Sequence, residues 1–266
     1  MTEAVIRVAV AGARGRMGRE VVRAVDACPG LLLVGGLGRT PGATVERGPG
    51  EPLALYDDVS ALLRETRPDV LVDFTLPDAA VLIARAALGA GVATVIGTSG
   101  LSAANCDALG ALAEKAGVGV AVVPNFAVGA VLLIHFARLA SRYFGAAEIV
   151  ELHHDGKADA PSGTALATAE AMAQARGDSF ASDRTTKHTL DAVRGGEVSG
   201  VRIHSVRLPG LGGHQEVLFG GPGQVLTLRL DATSREAYVP GVLLAIRAIH
   251  ARRGLVYGLD PLLGLD

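Results

Sequence analysis

Cysteine is scarce in this chain. Cys28 and Cys106 are the only two among 266 residues, far apart and outside any Cys-x-x-Cys spacing. A disulfide framework and a zinc knuckle are both unsupported, and two free thiols suit a reducing compartment. Net positive charge is lacking as well: 25 Lys and Arg against 27 Asp and Glu leave a formal charge of −2. Binding a phosphate backbone needs a basic surface, so no nucleic-acid partner is expected. Long apolar runs are missing. The greasiest stretch, 79–97, holds Arg85 and three glycines, and reads as helix plus strand rather than a membrane span. Met1 to Ala4 carries an acidic residue and lacks the basic region, apolar stretch and cleavage site of a secretory signal. The cytoplasm is therefore the expected compartment. Internal repeats and low-complexity tracts are absent too.

What is present is a hydrophobic share of 49% with 20% charge, enough to bury a sizeable core in one large domain or two modest ones. Apolar strand-like runs at 6–10, 31–36, 70–74, 93–96 and 118–123 alternate with helical spacing at 15–26, 59–65, 79–88 and 103–116. In the first helix, Met17, Val21, Val22 and Val25 share one side. Residues 39–52 are rich in Gly and Pro and read as an irregular loop. Such alternation predicts a Rossmann-like doubly wound parallel sheet. After Asn125 the character changes. A long apolar helix at 128–144, a strand at 147–152 and a helix at 164–174 precede a polar surface loop at 176–199. Strands at 201–208, 215–220 and 224–232 follow, parted by Gly-rich turns. They predict a second, α+β domain with an antiparallel or mixed sheet. The expected division is a dinucleotide-binding domain over 1–127 and a substrate-binding and oligomerisation domain over 128–238. The C-terminal helical segment, 239–266, packs back on the first domain in this reading.

Gly12-Ala13-Arg14-Gly15-Arg16-Met17-Gly18 lies between the first strand and the first helix. Glycines there let the chain turn sharply and bring backbone N–H groups to a pyrophosphate at the positive end of the helix. The spacing is G-x-x-G-x-x-G, weak alone, but its strand-to-helix context is the one dinucleotide binding requires. A tight structural turn is the plain alternative. An acidic residue usually holds the NAD ribose about 20 residues on. Here Gly38, Arg39 and Thr40 offer no carboxylate. Arg39, helped by Arg16, suits a 2′-phosphate instead, so NADPH is the expected preference, with NADH also usable. Gly97-Thr98-Ser99-Gly100 and Pro124-Asn125-Phe126 follow two further strands, where ligands collect in open α/β sheets.

The densest polar cluster runs from Glu151 through His153, His154, Asp155, Lys157 and Asp159 to Ser162, Gly163 and Thr164. It follows a strand and opens a helix. Ser162 suits an N-cap, and the N–H groups around Gly163 and Thr164 point at an anion, with Lys157 adding positive charge. His153 or His154 can deliver a proton near neutral pH. Adjacent histidines on a strand face opposite ways, and no Cys or third His lies at ligand spacing, so no metal is expected. The cluster reads as a carboxylate receptor beside a titratable acid; a solvated loop capping a helix is the alternative. His135 reads as packed in its helix, whereas His204 and His214 could line a site or sit in a sheet interface.

At His153-His154-x-x-Lys157-x-Asp159-Ala160-Pro161-Ser162-Gly163-Thr164-Ala165 the chain closely resembles the dihydrodipicolinate reductase family. The agreement extends to Gly12–Gly18, Asp73-Phe74-Thr75, Gly97-Thr98-Ser99, Asn125-Phe126 and His204–Gly210, and so covers most of the sequence. The resemblance implies reduction of 4-hydroxy-tetrahydrodipicolinate in the diaminopimelate and lysine pathway. Hydride goes to ring C4 as water is lost, and the resulting enamine is protonated. It implies that Gly12 to Met17 bind the dinucleotide, while Gly97 to Ser99 and Val123 to Phe126 surround its nicotinamide half. His153 becomes the proton donor, assisted by Lys157, with His154, Gly163 and Thr164 on the substrate carboxylates. A homotetramer built through the strand-rich domain is implied as well. One departure stands out: the family often has an acidic residue before the arginine that is Arg39 here, and this chain has Gly38.

Overall fold

The computed structural model describes residues 5–40, 42–181 and 185–265. The Met1 to Ala4 segment, Pro41 and 182–184 of the two expected loops, and Asp266 lie outside the described residues. The chain divides into two units, Met1–Val128 with Tyr238–Asp266, and Gly129–Ala237.

The first unit begins β1 (Ile6–Ala11), α1 (Arg16–Ala27), β2 (Leu31–Leu37), β3 (Thr44–Val45), β4 (Leu53–Tyr56), α2 (Val59–Thr66) and β5 (Val70–Asp73). It continues α3 (Pro77–Gly89), β6 (Ala93–Ile96), α4 (Ala103–Ala116) and β7 (Gly119–Val122). Every residue of β5, β6 and β7 is buried, as expected for parallel strands covered on both faces and written as unbroken apolar runs. Helix α1 buries Gly18, Val21, Val22 and Val25 along one side. Helix boundaries follow local chemistry. Asp58 caps α2 by accepting from two backbone N–H groups, Pro77 opens α3, and Ser102 caps α4, which Gly117 ends in the left-handed conformation.

The second unit contains most of α5 (Val128–Ser141), then β8 (Ala146–His153), α6 (Gly163–Arg176), β9 (Gly196–Val198), β10 (Val201–Arg207), β11 (Gly213–Gly221) and β12 (Gln224–Ala232). Its sheet has the order β12-β11-β8-β10-β9 and is mixed: β10 runs parallel to β8, while β11 pairs antiparallel with both β8 and β12. The inward positions of β8 include Ala147 and Ile149, which join Leu133, Met172, Ile203, Val217 and Phe219 in the core. Burying one such large side chain contributes about 1.5–3 kcal/mol.

The chain then returns to the first unit through a 3₁₀ turn, α7 (Val239–His250), β13 (Gly254–Tyr257) and α8 (Asp260–Leu263). The first sheet has the order β13-β7-β6-β5-β1-β2-β4-β3, parallel throughout except for β3. From β1 the chain moves outward to β2 on one side and later comes back to β5 on the other. The β1/β5 junction is thus the topological switch point, where open α/β sheets hold ligands.

Three expectations need correction. The 39–52 loop contains β3, a two-residue edge ladder with β4 too short to show a period. The 176–199 loop contains β9 and buries Phe180 under the Arg176 guanidinium, 4.9 Å from the ring centroid. The C-terminal segment is not one helix. Gly254, at φ +73°, turns the chain into β13, which joins the outer edge of β7.

Candidate functional site

The turns after β1, β2, β5, β6 and β7 lie at the carboxyl ends of parallel strands in the first unit. The turn after β1 is locked in place by its glycines. Gly12 has φ +73°, and a Cβ there would sit 2.6 Å from the Phe74 carbonyl oxygen; a Cβ at Gly18 would sit 2.1 Å from the Gly12 oxygen. Gly15 is the N-cap of α1 and provides no side-chain cap, and the first turn of α1 holds no acidic residue. Helices α2, α4 and α6, by contrast, are capped by Asp58, Ser102 and Ser162. The first N–H groups of α1 are therefore open toward the switch point, with the charge character that a phosphate requires. Arg14, Gly15 and Arg16 are exposed, Met17 is half-buried, and Ala13 is fully buried. Arg39 is exposed in the turn after β2.

The remaining turns draw together around Asp73, the last residue of β5. Its neighbours are Ala11 on β1 and Ile96 on β6. Asp73 is fully buried, at 0% exposure, and accepts hydrogen bonds from the Thr98 hydroxyl (2.8 Å), the Thr75 hydroxyl (2.9 and 3.1 Å) and the Thr75 N–H (3.1 Å). Burial pushes its pKa up, while the bonds from Thr75 and Thr98 favour the ionised form. Gly97 faces the Phe74 ring so closely that a Cβ would lie 2.2 Å from it. The Phe74 and Phe126 rings meet at 5.6 Å. The Asn125 side chain accepts from the Ala127 N–H at 2.9 Å, which fixes the turn after β7. Ser99 and Pro124 are exposed, whereas Val123 and Phe126 are buried.

In the second unit the alternation of β8 carries Ala147, Ile149, Glu151 and His153 on one face. Glu151 has 0% exposure. Arg207, from β10, donates to both of its oxygens at 3.0 and 2.8 Å, a bidentate pair. The Ser162 N–H reaches Glu151 at 3.3 Å, and His153 Nδ1 lies 2.5 Å from Glu151 Oε2. Burial works to raise the Glu151 pKa, yet bonds from Arg207, Ser205 and His153 with the Arg207 charge outweigh it and hold the carboxyl below its ordinary range. His153 is held below its ordinary value: burial and the charges of Lys157 and Arg207 outweigh the bond and charge of Glu151. Nδ1 is committed to Glu151, so Nε2 is the nitrogen left for a ligand.

Arg207 also donates to the Asp159 carbonyl at 2.7 Å and so anchors the loop that carries Lys157. The Lys157 ammonium donates to Asp159 at 2.6 Å. His154 is exposed. Ser162 is the N-cap of α6, its buried hydroxyl accepting from the Ala165 N–H at 3.2 Å, so its side chain serves the helix. Gly163 and half-buried Thr164 open α6, and nothing lies within 4 Å of where a Gly163 Cβ would stand. A proton carrier, an ammonium and the Gly163 and Thr164 N–H groups, which the Ser162 cap on Ala165 does not take, thus share one corner. Two partners went unassigned in the sequence. Glu151 heads the polar cluster and Arg207 lies in the family-like stretch 204–210, but nothing local pairs them across 56 residues, so neither received a role. His204 and His214 are held on the sheet by carboxylates, by Glu148 at 2.7 Å and by Asp231 at 2.6 Å.

Comparison with known proteins finds family matches in both units. Residues 6–126 match the family model described as dihydrodipicolinate reductase, N-terminus, and residues 129–263 match the corresponding C-terminus. The chain is 48% identical over 264 residues to the 4-hydroxy-tetrahydrodipicolinate reductase of Moorella thermoacetica, covering 98% of each. To the same-named protein of Dehalococcoides mccartyi it is 46% identical over 263 residues, covering 98% of this chain and 99% of the other. Its fold is similar to that of the dipicolinate-bound dihydrodipicolinate reductase from Paenisporosarcina sp. TG-14, with a TM-score of 0.88 and 40% identity over 97% of this chain and 99% of that one. The chain belongs to the dihydrodipicolinate reductase family and is an NAD(P)-dependent oxidoreductase.

Proposed function

We propose that the chain reduces 4-hydroxy-tetrahydrodipicolinate to tetrahydrodipicolinate in the diaminopimelate and lysine pathway. The observation that carries this reading is the corner built from Glu151, His153, Lys157 and the start of α6. Its positive charges suit a dicarboxylate, and a dipicolinate-bound relative shares the fold. Lys157 and the N–H groups of Gly163 and Thr164 hold the carboxylates, with exposed His154 beside them. Gly12–Met17 would hold the dinucleotide and Gly97–Ser99 with Val123–Phe126 its nicotinamide end; that group, when bound, would supply the hydride that substrate C4 needs. The hydroxyl first leaves with a neighbouring ring proton as water, giving the conjugated imine that accepts the hydride at C4, and His153 then gives a proton from Nε2 to the resulting enamine. Glu151 steadies the imidazolium through Nδ1, and Lys157 assists by fixing the substrate.

Exposed Arg39 and Arg16, with Gly38 in place of an acidic residue, support a preference for NADPH, NADH being the weaker donor. Exposed Val225 and Leu226 on the edge strand β12 support assembly of the second unit into a homotetramer. Among the described residues no helix is long and apolar enough to cross a membrane. The test is oxidation of NADPH in the presence of freshly generated 4-hydroxy-tetrahydrodipicolinate, followed at 340 nm. Turnover with formation of tetrahydrodipicolinate is expected; no turnover on this substrate, alongside turnover on a monocarboxylate imine, overturns the reading.

A further inference from the structure

We infer that Asp73 is a fixed negative charge beneath the nicotinamide end of the cofactor site, favouring the oxidised, cationic ring over the neutral reduced one. The inference rests on the reading that the turns at 97–99 and 123–126 take the nicotinamide. Three observations carry it. Asp73 is the last residue of β5, between Ala11 and Ile96, at the switch point where those turns converge. It is completely buried and immobilised by three donor groups, all of them neutral: the Thr75 N–H and the Thr75 and Thr98 hydroxyls. Among the described residues it forms no ion pair, whereas the other fully buried carboxylate, Glu151, is matched by Arg207. A buried charge with neutral partners keeps its field, because little water screens it.

Hydride transfer moves two electrons and one hydrogen nucleus from the dihydronicotinamide C4 to the substrate carbon. The ring thereby passes from neutral to singly positive, and a fixed anion close by stabilises that change without reorganising. Asp73 is accordingly a positioning and electrostatic residue, acting across the Thr75–Thr98 shell.

The test compares binary affinities in the full-length protein by titration calorimetry with NADP⁺ and NADPH separately. In Asp73→Asn the ratio Kd(NADP⁺)/Kd(NADPH) is expected to rise about tenfold. Thr98→Val, which removes one donor and keeps the charge, is expected to weaken both ligands and leave the ratio near that of the wild type. If Asp73→Asn weakens both ligands equally, the carboxylate only braces the turns and the proposal fails. It fails too if Thr98→Val moves the ratio as far as Asp73→Asn does. Asp73→Ser, also neutral, makes the same comparison where the Asn variant does not fold. Failure of the wild-type protein to bind either nucleotide overturns the cofactor reading itself, an outcome distinct from an unmoved ratio.

Discussion

Replacing Glu151 by Gln keeps its shape and removes its charge, and the surroundings set the size of the effect. The carboxylate serves two Arg207 N–H groups, the Ser162 N–H and His153 Nδ1. A carboxamide has one acceptor oxygen. Whichever way it turns, its NH₂ group faces one Arg207 N–H together with either His153 Nδ1 or the Ser162 N–H, leaving buried donors without an acceptor. That loss is worth about 1–3 kcal/mol. The imidazolium also loses its anion while the charges of Arg207 and Lys157 remain, so the His153 pKa moves further down from a value already lowered. A proton donor works only while protonated: its contribution is full below its pKa and disappears above it. The high-pH limb of kcat in Glu151→Gln is therefore expected at lower pH than in the wild type. At neutral pH kcat is expected to fall about 10- to 100-fold, since 1.36 kcal/mol is a factor of ten. Steady-state kinetics across pH, with NADPH affinity measured in parallel, decides it. An unmoved limb with wild-type kcat, or a loss confined to KM, refutes the reasoning.

His153→Gln is expected to lower kcat by about 10²–10⁴-fold with cofactor affinity nearly unchanged, read from single-turnover kinetics and nucleotide titration. Lys157→Met removes both a carboxylate anchor and a charge near the acid, so KM should rise and kcat fall together; inhibition by dipicolinate should weaken in step. Arg39→Ala should raise the Kd of NADPH about tenfold or more, a charge-assisted bond being worth about 1.5–3 kcal/mol, and leave that of NADH close to its starting value. Arg207→Met strands a buried carboxylate and should destabilise the protein by about 3–5 kcal/mol in urea at neutral pH. The native Glu151 pKa lies below its ordinary 4.5. The stability gap between wild type and variant should thus be full above that value and close as pH falls through the lowered one.

The sequence was legible where local pattern and chemistry coincide. The change from an apolar run at β1 to helical spacing in α1, with Gly12 between them, locates the turn from residue order alone. Ser162 before Gly163 marks the start of α6 in the same way. What stayed hidden was set by partners distant in sequence. Strand β13 is four residues long and owes its existence to the open edge of β7. The role of Glu151 depends on β8 pairing in parallel with β10, which puts Arg207 opposite His153. Burial of Asp73 depends on β5 running between β1 and β6. No window along the chain contains those facts, because each is a property of strand order.

Each unit carries a carboxylate of zero exposure near a strand end, Asp73 as the last residue of β5 and Glu151 two residues before the end of β8, and the two are treated in opposite ways. Glu151 receives a guanidinium, so its charge is cancelled within about one hydrogen-bond length. This suits the proposed role of the corner as receptor for a dianion: an unpaired Glu151 would repel such a guest and hold His153 too firmly protonated to release a proton. Asp73 receives only hydroxyl and amide donors, which stabilise the anion without cancelling it. This suits the inferred place of Asp73 beside a ring that gains positive charge on giving up hydride, where a guanidinium would oppose that departure. The choice between Arg207 and a threonine pair thus follows from the sign of the charge each ligand brings or acquires.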